Sequence, residues 1–308
     1  MLFVQDLNIE FDTNVILSNV SLKINSPGVY GIVGASGAGK STLLKAIAGL
    51  INFSGDIRYG KLKILTASKQ LIAGYEEIAL VSQSFEEDLY FTVEENIKNN
   101  LLHLTKEDSE IFLEELIDVF ELHKIRANKS LHASGGEKQR LSMACAIAKE
   151  PSVLLLDEPF VHLDVHLRSK IGSFLQKTIQ DNKMIVLLVT HEGEEALSWC
   201  NKIAIIKDGN LHDFDFSEKF YKQPNSFYEG RFFGDLNSVQ INGKELFFRP
   251  NQFNLNASKS NVELQLKYLK SEFRGHYIAN FFITLNDEII ILYDNEEMIN
   301  TKKIYVEK

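Results

Sequence analysis

The sequence predicts an α/β protein with a mainly parallel central sheet and a small all-β lobe at its C-terminal end. Three observations indicate this. A glycine-rich loop near residue 34 lies between an apolar strand and a helical segment. Two later apolar runs, residues 153–156 and 185–189, suit central strands that are buried on both faces. Beyond about residue 238, short apolar runs alternate with polar turns, which is typical of a small β fold.

The first 30 residues alternate between apolar and polar side chains, as strands do. A turn at residues 12–14 leads into a returning strand over 15–24, so we predict an antiparallel β subdomain. Residues 41–50 predict a helix after the glycine-rich loop. Residues 94–130 carry an apolar face opposite Glu and Asp side chains and predict a helical subdomain.

The composition changes near residue 212. Residues 214–234 are crowded with Phe and Tyr and predict a packed connector. After it, four strands are predicted over residues 244–249, 262–269, 276–285 and 289–293. We therefore expect two domains, a larger α/β domain over residues 1–234 and a β-rich lobe over residues 235–308.

The charge and apolar content limit the function classes. The chain has 308 residues and a net charge of 33 − 42 = −9, with a pI near 5.5, so we expect no nucleic-acid partner. The longest aliphatic stretches, such as residues 184–189, are far shorter than the roughly 20 residues of a spanning helix. The start of the chain lacks the pattern of a signal peptide. Cys145 and Cys200 suggest no disulfide framework, so we expect a cytoplasmic protein.

A phosphate-binding loop is the strongest motif. Residues 34–41 match G-x-x-x-x-G-K-[ST]. Such a loop points its N–H groups at phosphates, and the following helix adds its positive N-terminus. Lys40 is expected to reach the β- and γ-phosphates, and the Ser41 hydroxyl to bind Mg²⁺. The predicted ATP-binding residues here are Gly34, Ala35, Ser36, Gly37, Ala38, Gly39, Lys40, Ser41 and Thr42.

Two carboxylates follow the apolar run at residues 153–156. Asp157 is placed at the end of a buried strand, where it can hold Mg²⁺ and its water shell. Glu158 is placed beside it, where it can polarise an attacking water. An apolar run that ends in Asp-Glu is a weak signal alone, and the upstream phosphate loop makes it a strong one.

Residues 134–140 read Ser-Gly-Gly-Glu-Lys-Gln-Arg. This stretch closely resembles the signature L-S-G-G-[QE]-x-Q-R of the ABC-transporter ATPases. N–H groups and a hydroxyl at the start of a helix suit a γ-phosphate. The resemblance implies that these residues serve the nucleotide bound by a second copy of the chain, in a head-to-tail dimer. The residues concerned are Ser134, Gly135, Gly136 and Glu137. The family's usual leading Leu is replaced by Ala133.

The resemblance extends to about residue 234 and implies further roles. Gln83 is similar to a glutamine that touches Mg²⁺ or the attacking water and flanks a groove for the membrane partner. His191 is similar to a switch histidine that hydrogen-bonds the γ-phosphate. Asp164 is similar to the aspartate of the D-loop, although Val161 and His162 depart from the usual pattern. Phe11 is placed where the family stacks an aromatic ring on adenine, with a plain strand core residue as the alternative.

The resemblance favours an importer ATPase. Residues 191–197 resemble H-x-x-E-E-A-L of importer subunits, and residues 246–250 resemble the Arg-Pro element of a TOBE-type lobe of the OB-like kind. It implies a separate membrane permease, a solute-binding protein in the system, and a peripheral position on the inner face of the cell membrane. The alternatives are an exporter ATPase and an ATP-gated regulatory module without transport. Ferric iron is the preferred solute, with thiamine, polyamines and other small solutes after it.

Overall fold

The structure, a computed structural model, describes residues 1–82, 84–85, 87–161, 163–256 and 261–307. It divides into two compact units, Met1–Ser217 and Glu218–Lys308. This division lies before residue 234, because the connector packs within the second unit. The predicted functional boundary between residues 234 and 235 stays a prediction.

The first unit contains eleven strands and six α-helices within the described residues. Its strands are β1 (Leu2–Phe11), β2 (Asn14–Ile24), β3 (Gly28–Val33), β4 (Ser54–Tyr59), β5 (Leu62–Ile64), β6 (Ile78–Val81), β7 (Val153–Asp157), β8 (Ile185–Thr190), β9 (Lys202–Lys207), β10 (Asn210–Leu211) and β11 (Asp215–Phe216). Its helices are α1 (Lys40–Ile47), α2 (Val93–Lys98), α3 (Lys106–Val119), α4 (Gly135–Ala148), α5 (Val165–Asn182) and α6 (Gly193–Trp199).

The central sheet is mainly parallel, which confirms the predicted fold class. Its order is β10-β9-β3-β8-β7-β6, with β11 also paired to β9. β3 runs parallel to β8 and β9, and β7 runs parallel to β6 and β8. Every residue of β7 and of β8 is buried. Strands covered on both faces are expected to be apolar, as these two are up to their last residues, Asp157 and Thr190.

The antiparallel sheet β2-β1-β4-β5 is formed by the alternating N-terminal strands and by the segment after α1. Its buried face includes Leu2, Val4 and Leu7, which belong to the same core cluster as Leu43 and Leu44 of α1 and Leu187 of β8. The antiparallel sheet and α1 therefore share one apolar core, and Ala38 of the glycine-rich loop packs against it.

The helical part is built on capped helices. Thr92 caps α2 through a capping box with Glu95, and Thr105 accepts the N–H of Asp108 at the start of α3. Buried Leu113 and Leu116 give α3 its apolar face. The prediction of a helical subdomain is confirmed. None of the helices in the described part of the chain has the length and apolar character needed to span a bilayer.

The second unit is a small antiparallel β fold preceded by two short helices. Its elements are α7 (Ser217–Lys222), α8 (Phe227–Gly230), β12 (Asn237–Ile241), β13 (Lys244–Phe248), β14 (Asn261–Phe273), β15 (Ile278–Thr284), β16 (Ile289–Asp294) and β17 (Lys303–Glu307). One sheet pairs β12 with β13, and another has the order β16-β15-β14-β17. The predicted all-β lobe is confirmed, and β12 and β17 are strands that the sequence did not indicate.

Arg249 holds the connector to the β strands of the second unit. It is 1% exposed, and its guanidinium donates to the main-chain carbonyls of Tyr221, Gly230, Gly234 and Asp235 at 2.8–3.1 Å. The guanidinium also lies 4.3 Å from the centre of the Tyr221 ring. Burial lowers the pKa of Arg249. The connector therefore folds around one buried cation.

Replacing Arg249 by methionine is expected to lower the free energy of unfolding of the second unit by about 2–3 kcal/mol, because several buried carbonyls lose their donor. The matched control is Arg231→Met, whose exposed guanidinium lies over the Phe227 ring. That control is expected to cost less than about 1 kcal/mol. Urea titration followed by amide hydrogen exchange across residues 237–307 measures both. Equal costs would contradict the proposed role of the buried cation.

Candidate functional site

The predicted phosphate and carboxylate residues meet at one edge of the central sheet. β3, β8 and β7 are adjacent and parallel, so their carboxyl ends point the same way. The glycine-rich loop follows β3, His191 follows β8, and Glu158 follows β7. In open α/β sheets this edge is where ligands bind. The three segments predicted separately from the sequence are therefore brought together by sheet order.

The loop needs glycine at defined positions. A Cβ on Gly34 would lie 2.4 Å from the carbonyl oxygen of Ile206, and one on Gly39 would lie 2.5 Å from Cδ2 of Leu17. Gly37 and Gly39 also have φ values of 79° and 97°, which favour glycine. Ala35, Ser36 and Ala38 complete the loop, and Thr42 lies in the first turn of α1. The curled backbone is therefore fixed by close contacts and by its conformation.

Lys40 begins α1 and points its ammonium group into the loop. Nζ donates to the carbonyl oxygens of Gly34 at 2.8 Å and Ala35 at 3.0 Å, and the residue is 6% exposed. Burial lowers the pKa of Lys40, while the carboxylates of Glu158 and Asp157 oppose that shift. A buried cation beside these carboxylates suits an incoming polyphosphate.

Asp157 and Ser41 suit Mg²⁺ by the chemistry of their oxygens. Asp157 is 4% exposed. Burial raises the pKa of this carboxyl, and its hydrogen bond with the Ser41 side chain opposes the rise. Among the described residues, no group hydrogen-bonds Oδ1 of Asp157. A buried carboxylate oxygen next to a hydroxyl fits a hard divalent cation, which takes oxygen ligands.

Glu158 and His191 contact each other. Nδ1 of His191 lies 2.9 Å from Oε1 of Glu158. The Glu158 side chain is 17% exposed, and the His191 side chain is 46% exposed. Glu158 has φ of 49°, and its N–H donates to the carbonyl of Val189 at 2.9 Å. Glu158 is thus held by its main chain and largely covered by protein, whereas the His191 side chain is open to solvent.

The signature residues form the start of α4. Ser134 caps this helix in a capping box with Glu137, in which Ser134 N–H and Oγ–H donate to Oε2 of Glu137 at 2.8 and 2.7 Å. These bonds lower the pKa of the Glu137 carboxyl. Ser134 and Gly135 are exposed, and Gly136 is half-buried. The helix N-terminus is therefore open to a ligand from outside the chain.

Of the other predicted residues, the structure describes Phe11 and Asp164 but not Gln83. Phe11 ends β1 and is 48% exposed, which leaves its ring open to stacking. Asp164 caps α5, with Oδ1 accepting the N–H of Leu167 at 2.9 Å. Gln83 and His162 lie outside the described residues. The predicted roles of all these residues stay predictions.

Gln139 is a site residue that the sequence analysis did not single out. Its Nε2 donates to the carbonyl oxygen of Glu158 at 3.0 Å. The only sequence signal was its place in the Glu-Lys-Gln-Arg part of the signature, which carries no information about a contact with Glu158.

The fold and this edge define a P-loop nucleotide-binding protein. Comparison with known families matches residues 17–161 to the ABC transporter family. The sulfate/thiosulfate import ATP-binding protein CysA of Escherichia coli (strain K12) is 28% identical over 298 residues, which cover 87% of this chain and 80% of the relative. The Fe(3+) ions import ATP-binding protein FbpC of Fusobacterium nucleatum is 28% identical over 235 residues, which cover 75% of this chain and 62% of that relative.

A solved structure agrees with this result. The ATP-binding cassette MJ0796, in a dimeric post-hydrolysis state bound to ADP and Pi, superimposes with a TM-score of 0.63 at 26% identity. The match covers 70% of this chain and 99% of that one. This chain therefore carries an ATP-binding domain of the ABC transporter family and is an ABC-type ATPase. Its C-terminal β unit fits a TOBE-like lobe.

Proposed function

We propose that this chain hydrolyses ATP as a head-to-tail dimer and thereby powers solute import through a separate membrane permease. The observation that carries the hydrolytic part is the 2.9 Å contact between His191 and Glu158 beside the glycine-rich loop. A carboxylate and an imidazole that meet at one sheet edge support hydrolysis of a bound nucleotide, with His191 proposed to sense the γ-phosphate.

In the proposed site, the loop N–H groups and Lys40 bind the phosphates. Contact with ATP draws Nζ of Lys40 away from the carbonyls of Gly34 and Ala35. Ser41 and Asp157 would hold Mg²⁺, with Gln83 as the further predicted ligand. The cation would supply positive charge against the phosphates of ATP. Phe11 is proposed to stack on the adenine.

Glu158 is proposed as the group that orients the attacking water and accepts its proton. The water oxygen bonds to the γ-phosphorus, and the bond from that phosphorus to the β–γ bridging oxygen breaks. The products are ADP and inorganic phosphate. His191 hydrogen-bonds the γ-phosphate and exchanges its contact with Glu158 for one with the ligand.

The second copy completes each site in this proposal. Ser134, Gly135, Gly136 and Glu137 of one copy face the γ-phosphate held by Lys40 of the other. Exposure of Ser134 and Gly135 at the N-terminus of a 14-residue helix supports this arrangement. Asp164 is proposed to contact the partner's site. Closure of the dimer removes water, so hydrolysis is coupled to assembly.

The import part rests on relatives whose names are those of import ATP-binding proteins and on the TOBE-like lobe. We propose that the cassette, residues 1–234, binds the permease near Gln83 on the inner face of the cell membrane, and that residues 235–308 form a regulatory lobe. A solute-binding protein is expected in the same system. Solute choice is assigned to the permease and that protein, with ferric iron tested first and thiamine and polyamines next.

Phosphate release by the purified full chain with ATP and Mg²⁺ tests the hydrolytic part. Release above the no-protein rate, with ATP-dependent dimers in light scattering, is the expected result. ATP binding without turnover would favour the regulatory module instead. Reconstitution with the permease in liposomes tests the direction of transport. ATP-driven movement of solute away from the side that carries the ATPase would favour the exporter.

A further inference from the structure

Gln139 joins the signature helix to the main chain of Glu158. It lies on the second turn of α4, five residues after Ser134, and Nε2 donates to the Glu158 carbonyl at 3.0 Å. Only the NH₂ end of an amide can donate to a carbonyl, so the hydrogen bond fixes which way the Gln139 amide faces. The contact links two segments that the proposed function assigns to two different ATP molecules.

The main chain of Glu158 needs external support. Its φ of 49° lies in the left-handed region, which costs a non-glycine residue free energy. Such conformations persist where the surroundings over-determine them. Here the N–H donates to Val189 of β8, and the carbonyl accepts from Gln139. Removing the Gln139 donor removes the hydrogen bond at the carbonyl.

The hydrogen bond from Gln139 to Glu158 comes at a cost at the other end of the same amide. Its Oε1 is buried and, in the part of the chain that the structure describes, accepts no hydrogen bond. An unsatisfied buried acceptor is rare in folded proteins. The side chain lines a cavity of about 380 Å³ together with Gly135, Lys138 and Glu158. Residues of the signature helix and the proposed catalytic Glu158 therefore line the same cavity.

We propose that Gln139 is a positioning residue that sets the main chain of Glu158 according to the position of α4. Binding of the partner's γ-phosphate at Ser134–Gly136 moves α4 as a rigid helix, and Gln139 transmits that movement to the carboxylate acting on this chain's own ATP. The inference rests on the proposed function. It adds a physical link between the two sites of the dimer.

The test compares Gln139→Met with Lys138→Met in the full chain. Both changes give methionine on the same helical turn and in the same cavity, but the Lys138 ammonium lies over the Phe85 ring instead of contacting Glu158. For Gln139→Met we expect kcat for phosphate release to fall about tenfold, with KM for ATP within about twofold of wild type. For Lys138→Met both constants are expected to stay within about twofold of wild type.

A second variant, Gln139→Glu, keeps the side-chain shape and removes the donor, so it serves if Gln139→Met does not fold. The same fall in kcat is expected. Unchanged kcat in either folded variant, or a fall matched by Lys138→Met, would overturn the positioning role. If Glu158→Gln alone retains turnover, the catalytic assignment fails first. If Glu158→Gln loses turnover and Gln139→Met does not, only the positioning role fails.

A double-mutant cycle tests the link between the sites. If Gln139 transmits the state of the signature motif, Ser134→Ala and Gln139→Met are not additive, and the double variant has a kcat close to that of the slower single variant. If the residues act independently, the two fold-reductions in kcat multiply. A multiplicative result would overturn the transmission step.

Discussion

Replacing Glu158 by glutamine is expected to lower the rate of phosphate release from ATP by about a hundredfold or more. The amide keeps the shape of the carboxyl and can still face His191, but it cannot accept the proton of the attacking water. ATP binding is expected to survive, because the loop and Lys40 are untouched. ATP should therefore trap the variant as a stable dimer, measured by light scattering with and without nucleotide.

The matched control for this variant is Glu194→Gln, the same chemical change at an exposed residue of α6. It is expected to leave turnover within about twofold of wild type. Turnover in Glu158→Gln equal to that control would remove Glu158 from the chemistry. Loss of turnover without ATP-dependent dimers would keep Glu158 in the chemistry and count against the head-to-tail assembly.

Much of the fold was predictable because its signals are local. The apolar runs of β7 and β8 indicate buried parallel strands directly, and parallel strands place their carboxyl ends together. The structure adds that β7 and β8 are neighbours, and this strand order brings Glu158 and His191 together. The glycine-rich loop is equally local, since its spacing alone fixes a strand, a turn and a helix.

The elements that the sequence did not indicate have weak local signals. β12 contains Asn, Ser and Gln among its five residues. The side chain of its buried Asn237 donates to the carbonyl of Ile291 and accepts the N–H of Ile291, both at 2.8 Å. β17 has three consecutive buried residues, Ile304, Tyr305 and Val306, so it shows no alternation. β12 pairs with the adjacent β13, so its weak signal comes from its polar composition. β17 pairs with β14, a segment distant in the sequence, and periodicity does not reveal such a pairing.

The contact between Gln139 and Glu158 was beyond prediction for another reason. It is one hydrogen bond between a side chain on α4 and a carbonyl after β7. Sheet order places strand ends, but it does not determine which helical side chain reaches them. The site is thus predictable at the level of segments, while the proposed coupling depends on individual side chains.

Replacing Lys40 by alanine is expected to weaken ATP binding by about a hundredfold. The variant loses a buried cation that faces the phosphates and leaves the carboxylates of Asp157 and Glu158 uncompensated next to them. Both losses act against a polyanion. Isothermal titration of the full chain with ATP and Mg²⁺ measures the affinity directly.

Lys40→Ala is expected to affect folding stability less than it affects ATP affinity. Burial already disfavours the charged ammonium, as the lowered pKa of Lys40 indicates. The control is Lys45→Ala on the last turn of the same helix, expected to change affinity by less than about threefold because its charge is farther from the loop. If Lys40→Ala bound ATP as tightly as that control, the backbone N–H groups of residues 34–39 would be sufficient for binding. The ammonium group would then serve only to hold the carbonyls of Gly34 and Ala35.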